Sequence, residues 1–526
     1  MSGSHNDSEI TGAFGTIRAH DTGTRQGMRA RLFTLLAIIG PGLIVMVGDN
    51  DAGGVSTYAQ AGQNYGYTLL WTLPLLVPVL IANQEMVARL GAVTGVGHGR
   101  LIRERIGRRW GNVSVSSILT LNFLIIITEF IGVSLSMQYF GVNRFIAVPL
   151  AAIALFAVTA TGTFRSWERF MMVFVAVNLL VIPLLVFTHP QVQPFVHGLV
   201  VPSVRGGATS AAVLLIVSIV GTTVAPWQLY FQQSNIVDKK ISPRWLNYER
   251  VDTILGSIVV VIGAAALMAA TAAGLSPHGG TNAYVDALHV ANGLKEHVGA
   301  AAGAMFALLL LNASIIGAAA VTLASSYALG DVSGLRQGLD LRVREAKSFY
   351  GAFAGLLVVA AVVTLVSPNR LLGIITLMVQ AMCGMLLPST TIFVLLLAND
   401  KEILGPWVNS RKMNVFATII VAALGVLSIV MMISTVFPSA PVLELLIVFG
   451  VLAAVALAIG LPIALRIAPT PEPFDGDRRD WRTPRLRLLS PPIASRPRRW
   501  LFRVVAAYLL VAGVAIVVRF IQLAIS

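Results

Sequence analysis

Long apolar runs, each near the ~20 residues that carry a helix across a bilayer, alternate with short polar segments from residue 32 onward. They fall near 32–64, 68–95, 113–140, 145–163, 168–188, 209–236 and 252–274. They continue near 299–329, 349–366, 371–398, 412–436, 441–466 and 501–524. The pattern predicts roughly thirteen membrane-spanning helices by that length criterion, the last interrupted near its end by Arg519. Two runs are broken at their centres. The first reads Gly40-Pro41-Gly42 and then Gly48-Asp49-Asn50-Asp51-Ala52-Gly53-Gly54, and the sixth reads Gly221-Thr222-Thr223-Val224-Ala225-Pro226-Trp227-Gln228. An unsatisfied backbone group at mid-membrane depth costs several kcal/mol, so such breaks persist only where they are buried in protein or line an aqueous cavity. The broken runs stand five apart. Two five-helix halves of inverted orientation would bring both breaks together near the midplane, where transporters bind substrate.

Composition agrees with the pattern. Of 526 residues, 56% are hydrophobic and 12% charged, against roughly 25% charged in soluble domains; only lipid can solvate so much apolar surface. The net charge of +14 does not point to nucleic acid, because the basic residues sit in alternate loops. Arg29 and Arg31 precede the first run, and Arg100, Arg103, Arg105, Arg108 and Arg109 follow the second. Arg165 and Arg169, then Lys239, Lys240, Arg244 and Arg250, then Arg336, Arg342, Arg344 and Lys347, then Lys401, Arg411 and Lys412 all fall on the same side. The opposite loops hold only Arg144, Arg205, Lys295 and Arg370. By the positive-inside rule the N-terminus is cytoplasmic, in a plasma or inner membrane, and an odd span count puts the C-terminus outside. Residues 1–31 are polar and are expected to be a disordered cytoplasmic tail rather than a secretory signal. Residues 467–500, rich in proline and arginine, are expected to be a solvated cytoplasmic linker before a last span in 501–526. Cys383 is the single cysteine, which excludes an intrachain disulfide and a cysteine-rich metal site.

Few groups in the spans carry chemistry. Asp51 lies in the first break, and an intramembrane carboxylate is costly and usually functional. A carboxylate beside unwound backbone carbonyls is hard-oxygen ligation, suited to a metal dication rather than an organic anion. Asp49 is its rival, nearer a vestibule. Glu129 in the third run is a second buried acid, either a packing group or part of a pathway. Gln380 in the tenth run is either a helix–helix hydrogen bond or a ligand to metal or its water. His189, His197, His278, His289 and His297 fall in outer loops and His98 in an inner one. No HExxH, Walker or GxSxG motif suggests an embedded enzyme.

At the two breaks, over about Gly40 to Asp400, the chain resembles the NRAMP family of divalent-metal transporters. Gly40-Pro41-Gly42-Leu43-Ile44 and Tyr65-Gly66-Tyr67-Thr68-Leu69-Leu70-Trp71 are similar to the family's first-helix frame. Where the family carries Asp-Pro-Gly-Asn, this chain has Asp51-Ala52-Gly53-Gly54; where it carries Met-Pro-His and Asn-Leu-Tyr, this chain has Ala225-Pro226-Trp227 and Gln228-Leu229-Tyr230. Leu387-Pro388 and Leu395-Leu396-Leu397-Ala398-Asn399-Asp400 also match. The resemblance implies an all-α LeuT-type fold, with inverted five-helix repeats over 32–190 and 208–400, helices 1 and 6 broken, and further spans in 412–466. It implies a metal site from the Asp51 carboxylate, the carbonyls of Gly48 and Thr222, positions Gly54 and Ala225, and Gln380, with Asp49, Glu129, Thr223, Trp227 and Gln228 along the pathway. Gly54 in place of the asparagine and Ala225 in place of the methionine remove an amide and a thioether. Losing the sulfur relaxes discrimination against hard ions, and magnesium keeps several of its waters and takes few carboxylates. The expectation is therefore the NRAMP-related magnesium branch. Trp227 and Ile126 stand where the family has a histidine and an aspartate, which implies uptake driven by membrane potential without protons. The ion is expected as substrate, with no resident cofactor, in a monomer. A manganese or broad transition-metal carrier, and a non-transporting signalling protein on the same frame, are the competing readings.

Overall fold

Glycine and proline end the helices where the pattern breaks. The computed structural model describes residues 9–18, 21, 23, 25, 27–280, 283–437, 439–467, 474–489 and 496–525. Helix α1 (Met28–Ile38) meets α2 (Pro41–Val47) at a 57° bend. Gly40 forms the corner at φ +149°, a conformation that side chains disfavour. The amide groups exposed at the start of α2 are satisfied by one carboxylate: Asp252 accepts from Gly40 N at 3.0 Å, Gly42 N at 2.8 Å and Leu43 N at 3.1 Å. Helix α2 stops at Gly48, and α3 (Ala52–Tyr65) restarts after Asp51, whose side chain caps it by accepting from Gly54 N at 2.7 Å.

Beyond this break come α4 (Thr72–Thr94), α5 (Arg108–Tyr139), α6 (Arg144–Thr159) and α7 (Phe164–Val177), which a short turn continues to Phe187. The sixth span is α8 (Ser210–Thr223) and α9 (Pro226–Asp238), separated by Val224 and an extended Ala225. Then follow α10 (Leu246–Leu275), α11 (Ala300–Ser333), α12 (Lys347–Val366), α13 (Asn369–Ala398), α14 (Arg411–Val436), α15 (Val442–Ile467) and α16 (Arg496–Ile525). Among the described residues eleven helices are long and apolar enough to span a membrane, twelve with the bent pair counted as one. The shorter apolar α6 accounts for the remaining run of the sequence pattern.

The half-helices cross as an inverted pair should: α2 packs on α9, and α3 packs on α8. Helices α10 and α13 flank this pair, and α5 packs on α11 behind it. The apolar faces of α15, including Ile447, Val451, Leu452 and Ile459, stay exposed and face lipid in a bilayer.

Two polar segments are more ordered than their composition suggests. Within the tail expected to be disordered, residues 9–18 form an antiparallel hairpin of β1 (Glu9–Gly12) and β2 (Gly15–Arg18); residues 1–8 of that tail lie outside the described residues. An isolated hairpin is marginal in water; this one is held by burying Ile10 completely and by packing on α1. The linker likewise docks over 474–489. Trp407 donates its indole N–H to Arg478 O at 2.9 Å beneath the Arg478 guanidinium, and Thr483 Oγ1 donates to Ile403 O at 2.6 Å. Its arginines 479, 482, 485 and 487 remain exposed, so solvation holds for the charges and not for the backbone path. The rest of 467–500 is only partly within the described residues.

Candidate functional site

The site is built by the two helix breaks and three helices behind them. Asp51 is buried, 2% exposed, with one oxygen fixed on the α3 amides as its cap. Glu129, on α5, accepts from Ala52 N at 3.1 Å through one oxygen, while its other oxygen has no hydrogen bond. The two carboxyl groups thus hold the same helix start and lie beside one another. Gly317 on α11 leaves the room: a Cβ there would stand 2.9 Å from Asp51 Cβ and 2.5 Å from Glu129 Oε2.

Gly54 faces the other half of the break. A Cβ at that position would lie 2.9 Å from the Asp49 carbonyl oxygen, 3.0 Å from Thr222 Oγ1 and 3.5 Å from Asp51 Oδ1. Three oxygens from both broken helices therefore surround one point. Thr222 Oγ1 is buried and unbonded, so it is free to turn toward a ligand. Gly53, next to it, receives the Gln380 amide from α13 directly on its Cα; any side chain at 53 would coincide with that amide. Gln380 Nε2 has no hydrogen-bond acceptor. Asp51, Gly54, Thr222 and Gln380, separated by more than three hundred residues of chain, are thereby brought together.

The remaining expected residues surround this centre. Gly48 ends α2, and the Trp227 ring lies against it, 3.5 Å from where its Cβ would be. Ala225 is the extended residue of the second break and presents only a methyl group. Asp49 is fully buried, and both its carboxylate oxygens lack a hydrogen bond. Gln228 accepts from Gln84 Nε2 at 3.1 Å while its own amide nitrogen is unbonded. Thr223 pairs its hydroxyl with Tyr58 at 2.7 Å and donates to Ile219 O, which commits it to bracing the break. Sequence reasoning missed Tyr58, Gln84 and Gly317; the available signal was polarity, or a missing side chain, inside an apolar helix. Among the described residues no three His, Cys, Asp or Glu side chains converge as a metal cluster.

Comparison with known proteins agrees with this architecture. A curated divalent metal cation transporter, MntH, of Ralstonia nicotianae is 29% identical over 410 residues, covering 74% of this chain and 89% of the relative. MntH of Pectobacterium carotovorum is 26% identical, covering 76% and 95%. The solved manganese transporter of Eremococcus coleocola aligns with a TM-score of 0.61 at 20% identity, covering 88% of this chain and 98% of that one. The likeness is of fold: LeuT-type, with broken helices 1 and 6 and added C-terminal spans. The family model described as natural resistance-associated macrophage protein-like matches residues 42–434, so the chain belongs to the Nramp family, whose members are metal ion transporters and not enzymes.

Proposed function

We propose that this Nramp-family divalent cation transporter carries magnesium, at a site made of Asp51, the backbone at Gly48, Asp49 and Thr222, the Thr222 hydroxyl, and Gln380. The observation that carries the reading is the point in front of Gly54, which a carboxylate, a carbonyl and a hydroxyl oxygen approach within 3.5 Å, where among the described residues no three His, Cys, Asp or Glu side chains converge. Hard neutral oxygens beside the Asp51 carboxylate suit an ion that keeps part of its water shell. Ala225 supplies no thioether, and softer transition metals lose the ligand that would favour them. The amide of Gln380 and the hydroxyl of Thr222 are both buried and unbonded, and retained waters would satisfy them.

The driving force we assign is the membrane potential. A dication crossing 100 mV gains about 4.6 kcal/mol, twice the ~2.3 per charge, which supports over a thousandfold accumulation at ~1.4 kcal/mol per decade. Trp227 offers no titratable group in the second break, and Ile126 none beside Glu129. The basic loops orient the N-terminus to the cytoplasm of a plasma or inner membrane. Magnesium uptake by proteoliposomes under a set potassium diffusion potential, with a pH dye inside, tests both parts. Uptake that rises with inside-negative potential and leaves the lumen pH unchanged is expected; acidification in step with uptake overturns the uncoupled mechanism. Manganese transport is the second reading, favoured by the relatives' names and by the retained Asp51. Manganese uptake indifferent to excess magnesium would establish it instead.

A further inference from the structure

One buried knot ties four elements together at the end of the molecule that carries Arg165, Arg169, Lys239 and Lys240. Lys239 Nζ is wholly buried. It donates to the Ile38 and Ile39 carbonyls at 2.7 and 3.1 Å, which are released where α1 ends at the Gly40 bend. It also pairs with Glu168 of α7 at 2.6 Å. The second Glu168 oxygen accepts the N–H of Ala13, in the hairpin turn, at 2.5 Å, and Arg169 Nε donates to Ala13 O at 3.0 Å. Gly12 lies so close to the Ala37 carbonyl that any side chain would collide with it, and a Cβ at Gly15 would stand 3.3 Å from Ala37 Cβ. The hairpin is therefore seated against α1 on one side and bonded to α7 on the other.

Its position matters because α1 and α2 form the half-span that leads to Asp49 and Asp51, hinged at Gly40 with φ +149°. For the broken centre to open on this side, α1 and α2 must part from α7 and α9. That movement breaks the Lys239 and Glu168 bonds and unseats Ala13 and Ile10, which are 3% and 0% exposed. The hairpin's seat on α1 would travel with α1, whereas its bonds to Glu168 and Arg169 of α7 would be lost in that movement, so it is those bonds that favour the closed arrangement. A ligand or segment that binds one state of an equilibrium shifts it by its differential contacts alone.

We propose that the hairpin of residues 9–18 is an autoinhibitory latch that holds the first half-span shut on the cytoplasmic side, so that ion release there requires the hairpin to detach. The inference rests on the transport reading and the orientation given above. It adds a regulated step that the broken-helix site does not need for its own geometry.

The test uses a reporter cysteine at Ser257, buried on α10 with its hydroxyl 3.8 Å from Met46 Sδ of α2, in a Cys383→Ser background. A membrane-impermeant maleimide is applied from the hairpin side, and magnesium uptake is measured on the same proteoliposomes. Deleting residues 2–18 is expected to raise both labelling rate and initial uptake by about fivefold or more, the lower end of coupling between linked equilibria. Arg169→Ala, which removes one hairpin bond and leaves the chain intact, is expected to give a smaller rise in both. Labelling and uptake unchanged in the two variants would overturn the latch. Labelling that rises with no magnesium uptake in any form would keep the latch and overturn the magnesium reading. A deletion variant that elutes aggregated leaves the decision to Arg169→Ala, where an unchanged labelling rate counts against the latch.

Discussion

Replacing Gly54 by alanine tests whether the space in front of it is the ion's. The added Cβ would meet the Asp49 carbonyl oxygen at 2.9 Å and Thr222 Oγ1 at 3.0 Å, both tighter than ordinary contact, while Asp51 Oδ1 at 3.5 Å is normal. Thr222 can rotate away because its hydroxyl is unbonded. The Asp49 carbonyl cannot, since it belongs to the chain between α2 and α3, anchored by Asp49 N on Met46 O at 3.2 Å and Asn50 N on Val47 O at 3.2 Å. Overpacking of this kind costs about 1–3 kcal/mol. If the displaced oxygen serves the ion, the same range appears as a roughly 5- to 150-fold rise in KM for magnesium, at ~1.4 kcal/mol per decade. The assay is magnesium uptake against concentration at a fixed inside-negative potential, with size-exclusion profiles to show that the variant is folded. Gly54→Asn adds an amide oxygen in the same space and is expected to favour manganese over magnesium relative to the parent. A folded Gly54→Ala variant with unchanged magnesium KM would refute the reasoning, because the three oxygens would then have no part in holding the ion.

Further perturbations follow from single contacts. Gly53→Ala places a methyl where the Gln380 amide sits and is expected to abolish uptake; adding Gln380→Ala makes room, so the double variant should recover stability by about 1 kcal/mol or more in a double-mutant cycle. Arg105 is nearly buried and bridges Asp400 at 2.7 Å and Glu402 at 2.9 Å, so Arg105→Ala should destabilise by about 3 kcal/mol, the low end for a broken buried pair because Glu402 keeps water, read as a lower melting temperature. His98 is fully buried between α4 and α5, with Nδ1 2.8 Å from Gln233 Oε1, and burial pushes its pKa down to about 4. The unfolded chain, with an ordinary histidine near 6.5, then binds the proton first, so thermal stability should fall as pH drops from about 6.5 to about 4; His98→Gln should flatten that part of the profile.

The helical frame was legible because its causes are local. Apolar runs, Gly40-Pro41 and Ala225-Pro226 mark the span and break positions without reference to anything distant, and the structure places the breaks there. Asp51 also caps α3 on Gly54 N, a contact over three residues, yet the sequence pattern marks Asp51 only as a metal ligand. What lay hidden depends on contacts across the chain. Gln380 packs on Gly53 across the whole of both halves, and Glu129 reaches the Ala52 amide from another helix. The hairpin at 9–18 has the composition of a flexible tail, and it is Glu168 and α1 that order it. The basic linker was readable in its charge but not in its path, which is set by Trp407 and Ile403 far upstream.

The most direct test of the account is magnesium uptake into proteoliposomes at controlled membrane potential, for the wild type and Asp51→Ala, with manganese as competitor. The account predicts magnesium flux that grows as the inside becomes more negative, is lost in Asp51→Ala, and is matched by magnesium suppressing manganese entry. Magnesium flux that persists without the Asp51 carboxylate, or manganese flux untouched by excess magnesium, would contradict it.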